Sequence, residues 1–292
     1  MIEMHKIKLK FTKEEISNFI SEGEFMSANV ELHKNSIALL HKIIHLRYFD
    51  FKGIPKKLNR DEAILGGNII RLTKLNTSLL QNVCENKLEI CFILCRCVYE
   101  TQINILYFLK NGETNIFKNY VKNSLITEKE FYNNIEENIR NRNGEELPIE
   151  KSMKKSISNS FDISDFEIEE LNRSSSWKNL KKRLDKINVT DNLSQTYNIF
   201  YGLSSHSIHG NWQDLVQHHI SQDGEFFTLN YEWNSPKPNL LYAVIIFNLI
   251  ISKEFAYKEL EVNVKEDVRN DIDILSNYHD FLVLKYDEFR KF

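Results

Sequence analysis

The sequence has few residues that interrupt helices, with only 4 prolines and 9 glycines among 292 residues. A many-stranded barrel or sandwich needs a turn about every ten residues, so this scarcity argues against both classes. Long segments between the breakers favour helices, and an apolar fraction of 42% is enough for a sizeable core. The sequence therefore predicts an all-α protein, a multi-helix bundle with at most one short β-hairpin near residues 224–233.

The sequence also lacks an excess of positive charge and any visible membrane-targeting segment. Its formal net charge of −3 argues against a globally basic nucleic-acid binder, although a local basic surface stays compatible with it. The opening residues MIEMHKIKLKFTKEE interleave charges where a signal peptide would be apolar. The longest apolar run, residues 240–251, is too short to span a bilayer and contains Asn248. We therefore expect a cytoplasmic protein with no membrane partner.

Cysteine is scarce, and the 4 residues present do not form a metal-binding motif. Cys84, Cys91, Cys95 and Cys97 fall in one predicted helix or at its entrance, without a CxxC knuckle or a second ligand pair. Buried free thiols are the commoner outcome for such residues. The chain likewise has no Walker loop and no Rossmann glycine fingerprint. We predict neither a metal nor a cofactor.

Apolar periodicity predicts long helices before residue 112 and after residue 190. Residues 87–110 are apolar on nearly every side, which is typical of a helix at the centre of a bundle. Residues 113–190 are more polar, and we interpret them as a helical excursion within a single domain of residues 1–292. A surface loop is predicted at 153–164, and the other helices at 13–22, 25–48, 60–83, 114–124, 127–141, 165–172, 175–187, 190–209, 239–262 and 265–290.

The central helix carries a charged pair, Arg96 and Glu100, in an otherwise apolar segment. Residues four apart on a helix lie on the same face and can form an ion pair. An unpaired charge inside such a helix is costly, so we expect the two side chains to meet. Two interpretations stay open. The pair is either a buried structural ion pair, or Arg96 binds an anion in a cleft while Glu100 holds it in place.

The stretch YGLSSHSIHG places Tyr201, Ser205 and His209 at intervals of four. On a helix these positions form a slanted row, and Gly210 is suited to end the helix after His209. A helix C-terminus favours a protonated histidine, and with His206 nearby the row suits general acid–base work such as phosphodiester cleavage. A capping or packing role for His209 is the alternative.

Other histidine and serine patterns are weaker. The chain has no GxSxG elbow, which argues against a serine hydrolase. His41 and His45 share a helix face, but the HExxH pattern of zinc enzymes is absent. His218 and His219 are adjacent, so we expect them to point in different directions on any regular element. None of these residues is selected as a site.

Three stretches, GGNIIRLTKLNTSLLQ, CFILCRCVYETQINILYFL and YGLSSHSIHGNW, together resemble the helical blocks of a bacterial family of unknown function. The pattern of that family is an Arg followed by an aromatic-Glu on a central helix, and much later a Tyr, a Ser and a His-Gly. The matching residues here are Arg96, Tyr99, Glu100, Tyr201, Ser205, His209 and Gly210, with Arg71 in the first block.

That family is distantly similar to the HEPN superfamily, the higher eukaryote and prokaryote nucleotide-binding proteins. Many HEPN proteins are metal-independent ribonucleases that act as toxins or in phage defence. Their signature is an Arg with a His four to six residues later on one helix. No Arg precedes His209 at that distance. The resemblance therefore implies that Arg96 supplies the guanidinium from another helix.

Two functional hypotheses follow. In the first, implied by the resemblance, the chain is a HEPN-like ribonuclease or nucleotide-binding effector of a bacterial stress or phage-defence system, with RNA or a nucleotide as partner. His209 would be the general acid and base, Arg96 would stabilise phosphate charge and Glu100 would orient Arg96. Ser205 and Tyr201 would position the substrate. In the second hypothesis the chain is a non-catalytic helical interaction protein, an antitoxin or defence scaffold. By analogy with HEPN bundles, a homodimer is a further expectation.

Overall fold

The regular elements of the protein are helices and one two-stranded antiparallel sheet, within the part of the chain that the structure describes. The predicted all-α fold with a single short hairpin is therefore confirmed. The structure is a computed structural model, and it describes residues 7–164, 166–168, 171, 177–187 and 197–291.

Helices of very different length follow one another along the chain. In order they are α1 (Lys13–Ser17), α2 (Glu22–Tyr48), α3 (Arg60–Cys84), α4 (Leu88–Asn111), α5 (Thr114–Asn141), α6 (Pro148–Ser164), α7 (Leu180–Ile187), α8 (Ser204–His209), the single turn α9 (Trp212–Asp214), α10 (Asn239–Glu259) and α11 (Val262–Phe289). Two π-helices, π1 (Asn198–Leu203) and π2 (Leu215–His219), flank α8 and α9. The strands are β1 (Ile220–Asp223) and β2 (Phe226–Leu229).

The chain forms two compact units. Unit 1 consists of Met1–Lys110 and Leu180–Phe292, and unit 2 consists of Asn111–Asn179. In unit 1, α2 packs against α3, α10 and α11, and α10 packs against α11. The interpretation of the chain as a single domain stays a prediction.

A polar network joins four helices in the core of unit 1. The amides of Asn76 and Asn248 exchange hydrogen bonds of 3.3 and 3.4 Å. Asn248 also donates to Ser36 Oγ at 3.2 Å and accepts from Gln102 Nε2 at 2.8 Å. Gln102 donates in addition to the carbonyl of Val244 at 2.9 Å. These four side chains are buried. Their hydrogen bonds therefore fix how α2, α3, α4 and α10 meet.

The central helix α4 is fixed at its first residue by the segment that follows the hairpin. The backbone N–H of Leu88 donates to the carbonyl of Asn234 at 3.0 Å. The preceding Asn86 has a φ of 57°, which turns the chain sharply from α3 into α4. The start of α4 therefore lies beside residues that come much later in the sequence.

Two helices, α4 and α10, are long and apolar enough to cross a bilayer. The second helix has 21 residues and contains the apolar run of residues 240–251. In each helix 56% of the apolar window is buried inside the protein, which is the burial expected of a core helix in a soluble protein.

The hairpin begins a few residues earlier than the sequence predicts. Ile220 lies opposite Leu229 and Asp223 lies opposite Phe226, so the two strands are in register across a two-residue turn. Gly224 occupies that turn with a φ of 62°, a conformation that glycine adopts without strain. The predicted strand at 224–233 is confirmed only for residues 226–229, because the following residues leave the sheet.

Unit 2 has a small apolar core of its own, formed where α5 packs against α6. The ring of Tyr120 also meets that of Trp177 edge-on, with centroids 5.2 Å apart. The buried members of this core are Leu125, Ile135, Ile157, Phe161, Phe166 and Leu171.

Two predictions for unit 2 are wrong. Residues 114–124 and 127–141 belong to one helix, α5, because Leu125 continues its buried face across the expected break. Residues 153–164, predicted as a surface loop, lie in α6. There Met153, Ile157 and Phe161 recur every four residues, so a single apolar stripe is enough to form an amphipathic helix from a polar segment.

Three helices predicted between residues 165 and 209 differ from the structure or lie partly outside the described residues. Residues 166–168 and 171 are not helical, so the helix predicted at 165–172 is absent from its described residues. The helix predicted at 175–187 begins only at Leu180. Of the helix predicted at 190–209, residues 190–196 lie outside the described residues, and its first described turns are π-helical.

Candidate functional site

The predicted ion pair between Arg96 and Glu100 is present on α4. Arg96 Nε donates to Glu100 Oε1 at 3.0 Å, one helical turn away. The side chain of Arg96 is 17% exposed and that of Glu100 is 43% exposed. The pair therefore lies at the boundary between core and solvent, where a ligand can reach it. The interpretation as a structural ion pair assumed a fully buried pair instead.

Tyr201 belongs to π1 and contacts this pair from the other side. The guanidinium carbon of Arg96 lies 4.2 Å from the centroid of the Tyr201 ring, a close cation–π contact. The ring of Tyr197 stacks on Tyr201 with centroids 5.0 Å apart and planes 8° apart. Phe200, the residue before Tyr201 in π1, stacks on Tyr99 of α4 with ring centroids 5.6 Å apart. The helical segment after residue 197 thus packs on α4.

Ser205 and His209 follow in α8 and stay outside this cluster. Ser205 is half-buried and His209 is exposed at the last position of the helix. The next residue, Gly210, has a φ of 54° and ends the helix as predicted. No hydrogen bond or ion pair joins Ser205 or His209 to Arg96 within the described residues. The structure brings together three predicted site residues, Arg96, Glu100 and Tyr201. The other two, Ser205 and His209, lie on the helical turns that follow Tyr201.

Arg96 has unused donor capacity. Its Nη1 atom is buried and has no hydrogen-bond partner in the part of the chain that the structure describes. A guanidinium has five N–H donors and no acceptor, so one bond to Glu100 leaves several donors for an anion or for water. Buried donors without a partner are uncommon and often mark a ligand position.

His206 also has a fixed partner. Its Nδ1 atom lies 2.7 Å from the Nδ2 atom of Asn211. Asn211 in turn accepts from the backbone N–H of Asp214 at 3.2 Å and so begins α9. The bend between α8 and α9 therefore orients the imidazole of His206, three residues before His209 in the sequence.

A second polar cluster lies at the start of α4, and sequence reasoning missed it. Glu89 Oε1 lies 3.6 Å from Nδ1 of His218, and Asp214 Oδ2 lies 3.5 Å from Nε2 of His219. Glu89, Asp214 and His218 are buried, whereas His219 is partly exposed. Two carboxylate–imidazole pairs thus meet in a part of the molecule that no predicted site residue occupies.

The two adjacent histidines line the same cavity, with ring centroids 6.2 Å apart and ring planes at 66°. They pair with different carboxylates, His218 with Glu89 and His219 with Asp214. Both are the last residues of π2, and the spacing of five between Asp214 and His219 suits a π-helix, in which residues five apart lie on one face. A search for spacings of three or four does not find this pair.

Metal ligands and reactive thiols are not assembled in either cluster. No group of three or more His, Cys, Asp or Glu side chains is placed to hold a metal ion among the described residues. Cys91 and Cys95 are buried free thiols, as expected, and burial raises the pKa of Cys91 to about 12. A thiol with so high a pKa is a poor nucleophile at neutral pH.

The comparisons with known proteins give one match. A family model described as a family of unknown function, DUF5677, matches residues 62–226, which is more than half of the chain. The matched segment runs from α3 to β2 and includes both polar clusters of α4. No curated protein and no solved structure matches the chain significantly.

Proposed function

The chain belongs to the family of unknown function DUF5677, and we propose that it is a HEPN-like, metal-independent ribonuclease or nucleotide-binding effector of a bacterial stress or phage-defence system. The observation that carries this proposal is the fixed guanidinium of Arg96, 4.2 Å from the Tyr201 ring and 3.0 Å from Glu100. A planar guanidinium held in this way is suited to bind a phosphate through two parallel N–H donors.

Cleavage of RNA without a metal needs an acid–base group next to such a cation. A base takes the proton of the 2′-hydroxyl, the 2′-oxygen attacks phosphorus, and the bond to the 5′-oxygen breaks as that oxygen gains a proton. His209, exposed at the end of α8, would exchange these protons. Arg96 would neutralise the charge that develops on the phosphate, and Glu100 would orient Arg96.

The separation of these groups favours an RNA strand over a mononucleotide. An α-helix rises about 1.5 Å per residue, so the backbone of His209 lies roughly 12 Å beyond that of Tyr201 along the segment. Ser205 lies between them and is half-buried. The scissile phosphate would lie over Ser205, where the Arg96 guanidinium and the His209 imidazole would approach it from opposite sides, and the Tyr201 hydroxyl would position the adjoining nucleotide.

The experiment is cleavage of total RNA by the purified protein, with and without EDTA. We expect cleavage in both conditions, and we expect His209→Ala to abolish it while the melting temperature stays within a few degrees of the wild type. Arg96→Gln should lower the rate by about a hundredfold or more, since an electrostatic contact to the transition state contributes about 3 kcal/mol.

Two controls make this test specific. His41→Ala removes an exposed histidine from α2 and should leave cleavage unchanged. If the wild type does not cleave RNA, binding of ATP and GTP is measured by titration, and Arg96→Gln should weaken it. Absence of both cleavage and nucleotide binding in the folded wild-type protein would contradict the proposal.

A non-catalytic interaction protein, an antitoxin or defence scaffold, is the second candidate function. It is supported by an apolar surface on and around the hairpin, which we call the hairpin patch. Large exposed apolar side chains cluster there, and such patches often mark protein–protein contacts. The patch consists of Trp212, Phe226, Phe227, Leu229, Tyr231 and Trp233.

The second candidate is tested by the oligomeric state and by the fold of the His209 variant. A homodimer through the hairpin patch should dissociate when Phe226→Ser and Leu229→Ser are combined, as measured by light scattering. The interaction protein becomes the better assignment if the wild type is inactive and His209→Ala unfolds the protein. A catalytic His209 at an exposed helix end predicts the opposite on both points.

A further inference from the structure

A cavity of about 320 Å³ opens beside the first turn of α4 and is distinct from the Arg96 cluster. Its size is at the lower end of the range for small-molecule sites. Three parts of unit 1 form it: the start of α4, the end of π2 and the extended segment after β2. The side chains that matter for its chemistry are Glu89, His218, His219, Tyr231, Glu232 and Trp233.

The charge of this cavity is negative. Glu89 is buried and Glu232 lies at the rim, and no Lys or Arg is among the described residues that line the cavity. Burial lowers the pKa of His218, although the charge of Glu89 opposes this, so its imidazole is neutral at pH 7 and does not cancel the carboxylate. Lys87, 5.9 Å from the Trp233 ring centroid, is already ion-paired with Glu85 at 2.6 Å.

Aromatic rings form the outer wall. Tyr231 is 89% exposed and Trp233 is 51% exposed, so neither ring is held in place by burial in the core. The faces of Trp and Tyr rings attract cations, and two rings beside a carboxylate are the usual way in which proteins hold an ammonium group.

One nitrogen of the buried imidazole has no partner. Nδ1 of His218 lies 3.2 Å from the Asn234 amide nitrogen, which also donates to the carbonyl of Gln217 at 3.5 Å, and 3.6 Å from Glu89 Oε1. Nε2 has no hydrogen-bond partner within the described residues, although the residue is only 2% exposed. A hydroxyl of a ligand would satisfy Nε2 in either tautomer, because a hydroxyl both donates and accepts.

We infer that this cavity binds a small organic cation that also carries a hydroxyl, of the chemical class of the amino alcohols. Glu89 and Glu232 balance the positive charge, Tyr231 and Trp233 cover the ammonium group, and Nε2 of His218 forms a hydrogen bond with the hydroxyl. Anions are disfavoured because the cavity offers them two carboxylates and no cationic side chain. This inference is independent of the ribonuclease proposal, since it uses none of the same residues.

The experiment is a calorimetric titration of the full-length protein with choline. We expect saturable binding with a Kd of about 1 mM or tighter. The uncharged isostere 3,3-dimethylbutan-1-ol and inorganic phosphate should not bind. Glu89→Gln and Trp233→Leu should each weaken choline binding about tenfold or more, since each removes a contact to the cation.

The control variant is Glu225→Gln, which removes an exposed carboxylate of the hairpin turn that does not line the cavity. It should leave choline binding unchanged. Trp233 is half exposed, so Trp233→Leu keeps the test valid even if Glu89→Gln does not fold. The inference is overturned by an absence of saturable binding up to about 10 mM. It is equally overturned if both cavity variants bind as the wild type does, or if the uncharged isostere competes with choline.

Free and lipid-borne amino alcohols are separated by a second measurement. Phosphatidylcholine vesicles are sedimented with the wild type and with Trp233→Leu. Co-sedimentation that the variant abolishes assigns a lipid headgroup as ligand. Binding of free choline without co-sedimentation assigns a soluble amine.

Discussion

At the centre of unit 1 the amide of Asn248 is paired with Ser36, Asn76 and Gln102, whereas along the outer edge of α4 two buried nitrogen atoms, Nη1 of Arg96 and Nε2 of His218, have no described partner. The central network joins four helices, and all its side chains are buried. The edge, by contrast, borders solvent at Arg96 and a cavity at His218. Complete pairing is what a structural role requires, and incomplete pairing next to accessible space is what a binding role requires.

The largest expected effect tests the structural side of this comparison. Asn248→Ala leaves the side chains of Asn76 and Gln102 without a shared partner in the core. We expect a loss of about 3 to 5 kcal/mol in the free energy of unfolding, measured by urea denaturation at pH 7. The control Asn82→Ala removes a side chain that bonds only to its own helix at the surface, and it should cost less than about 0.5 kcal/mol. A loss below about 1 kcal/mol for Asn248→Ala would mean that the network is dispensable.

The next effect concerns His33, a buried polar side chain that is not paired as the central network is. His33 on α2 is fully buried, and neither ring nitrogen makes a well-formed hydrogen bond within the described residues. Burial lowers its pKa from 6.5 to about 4, and a contact with the backbone of Asn76 opposes this only in part. Below pH 6.5 the unfolded chain binds a proton that the folded chain does not bind until about pH 4, so the stability present above pH 6.5 is lost as the pH falls through this window.

This loss should amount to about 3 kcal/mol at pH 4, from about 1.4 kcal/mol per pKa unit. Unfolding free energies of the wild type and His33→Gln are compared at pH 7 and pH 4.5. The variant should lose much less stability between the two values, because glutamine does not titrate. The exposed His45→Gln should retain the wild-type difference. Parallel pH curves for the wild type and His33→Gln would refute the assignment.

The smallest effect tests the edge of α4 through a double-mutant cycle of Arg96→Gln and Tyr201→Leu. The close contact of ring and guanidinium at the boundary of the core should give a coupling of about 1 kcal/mol in the free energy of unfolding. A matched cycle that combines Tyr201→Leu with Lys52→Gln should be additive, because Lys52 contacts the ring of Phe51 instead. Additivity in both cycles would show that the cation–π contact adds nothing to stability.

Much of the fold was predictable because long apolar stripes dominate unit 1. The prediction failed in unit 2, where composition concealed periodicity. Residues 153–164 are rich in Ser and Lys, and only three large apolar side chains mark the buried face of α6. A stripe of one apolar residue per turn is sufficient when a neighbouring helix covers it, and that neighbour is not visible in the local sequence.

The candidate site was likewise predictable only where its contacts join residues close in sequence. The Arg96–Glu100 pair follows from a spacing of four and was predictable. The contact of Arg96 with Tyr201 required the packing of α4 on a segment far along the chain. The cavity of Glu89 and His218 required in addition the turn into β1 and the extended segment after β2. Neither periodicity nor motif spacing carries that information.

The two π-helices change how this region would respond to a deletion. A π-helical turn accommodates one residue more than an α-helical turn, and π1 and π2 stand on either side of α8 and α9. Removing one residue from π1 would restore the tighter turn and leave the side chains after it facing nearly the same way, because the extra residue is absorbed within the turn. Removing one residue from α8 would instead rotate His209 by about 100° relative to Tyr201. The direction in which His209 faces therefore tolerates the loss of a residue in π1 but not in α8.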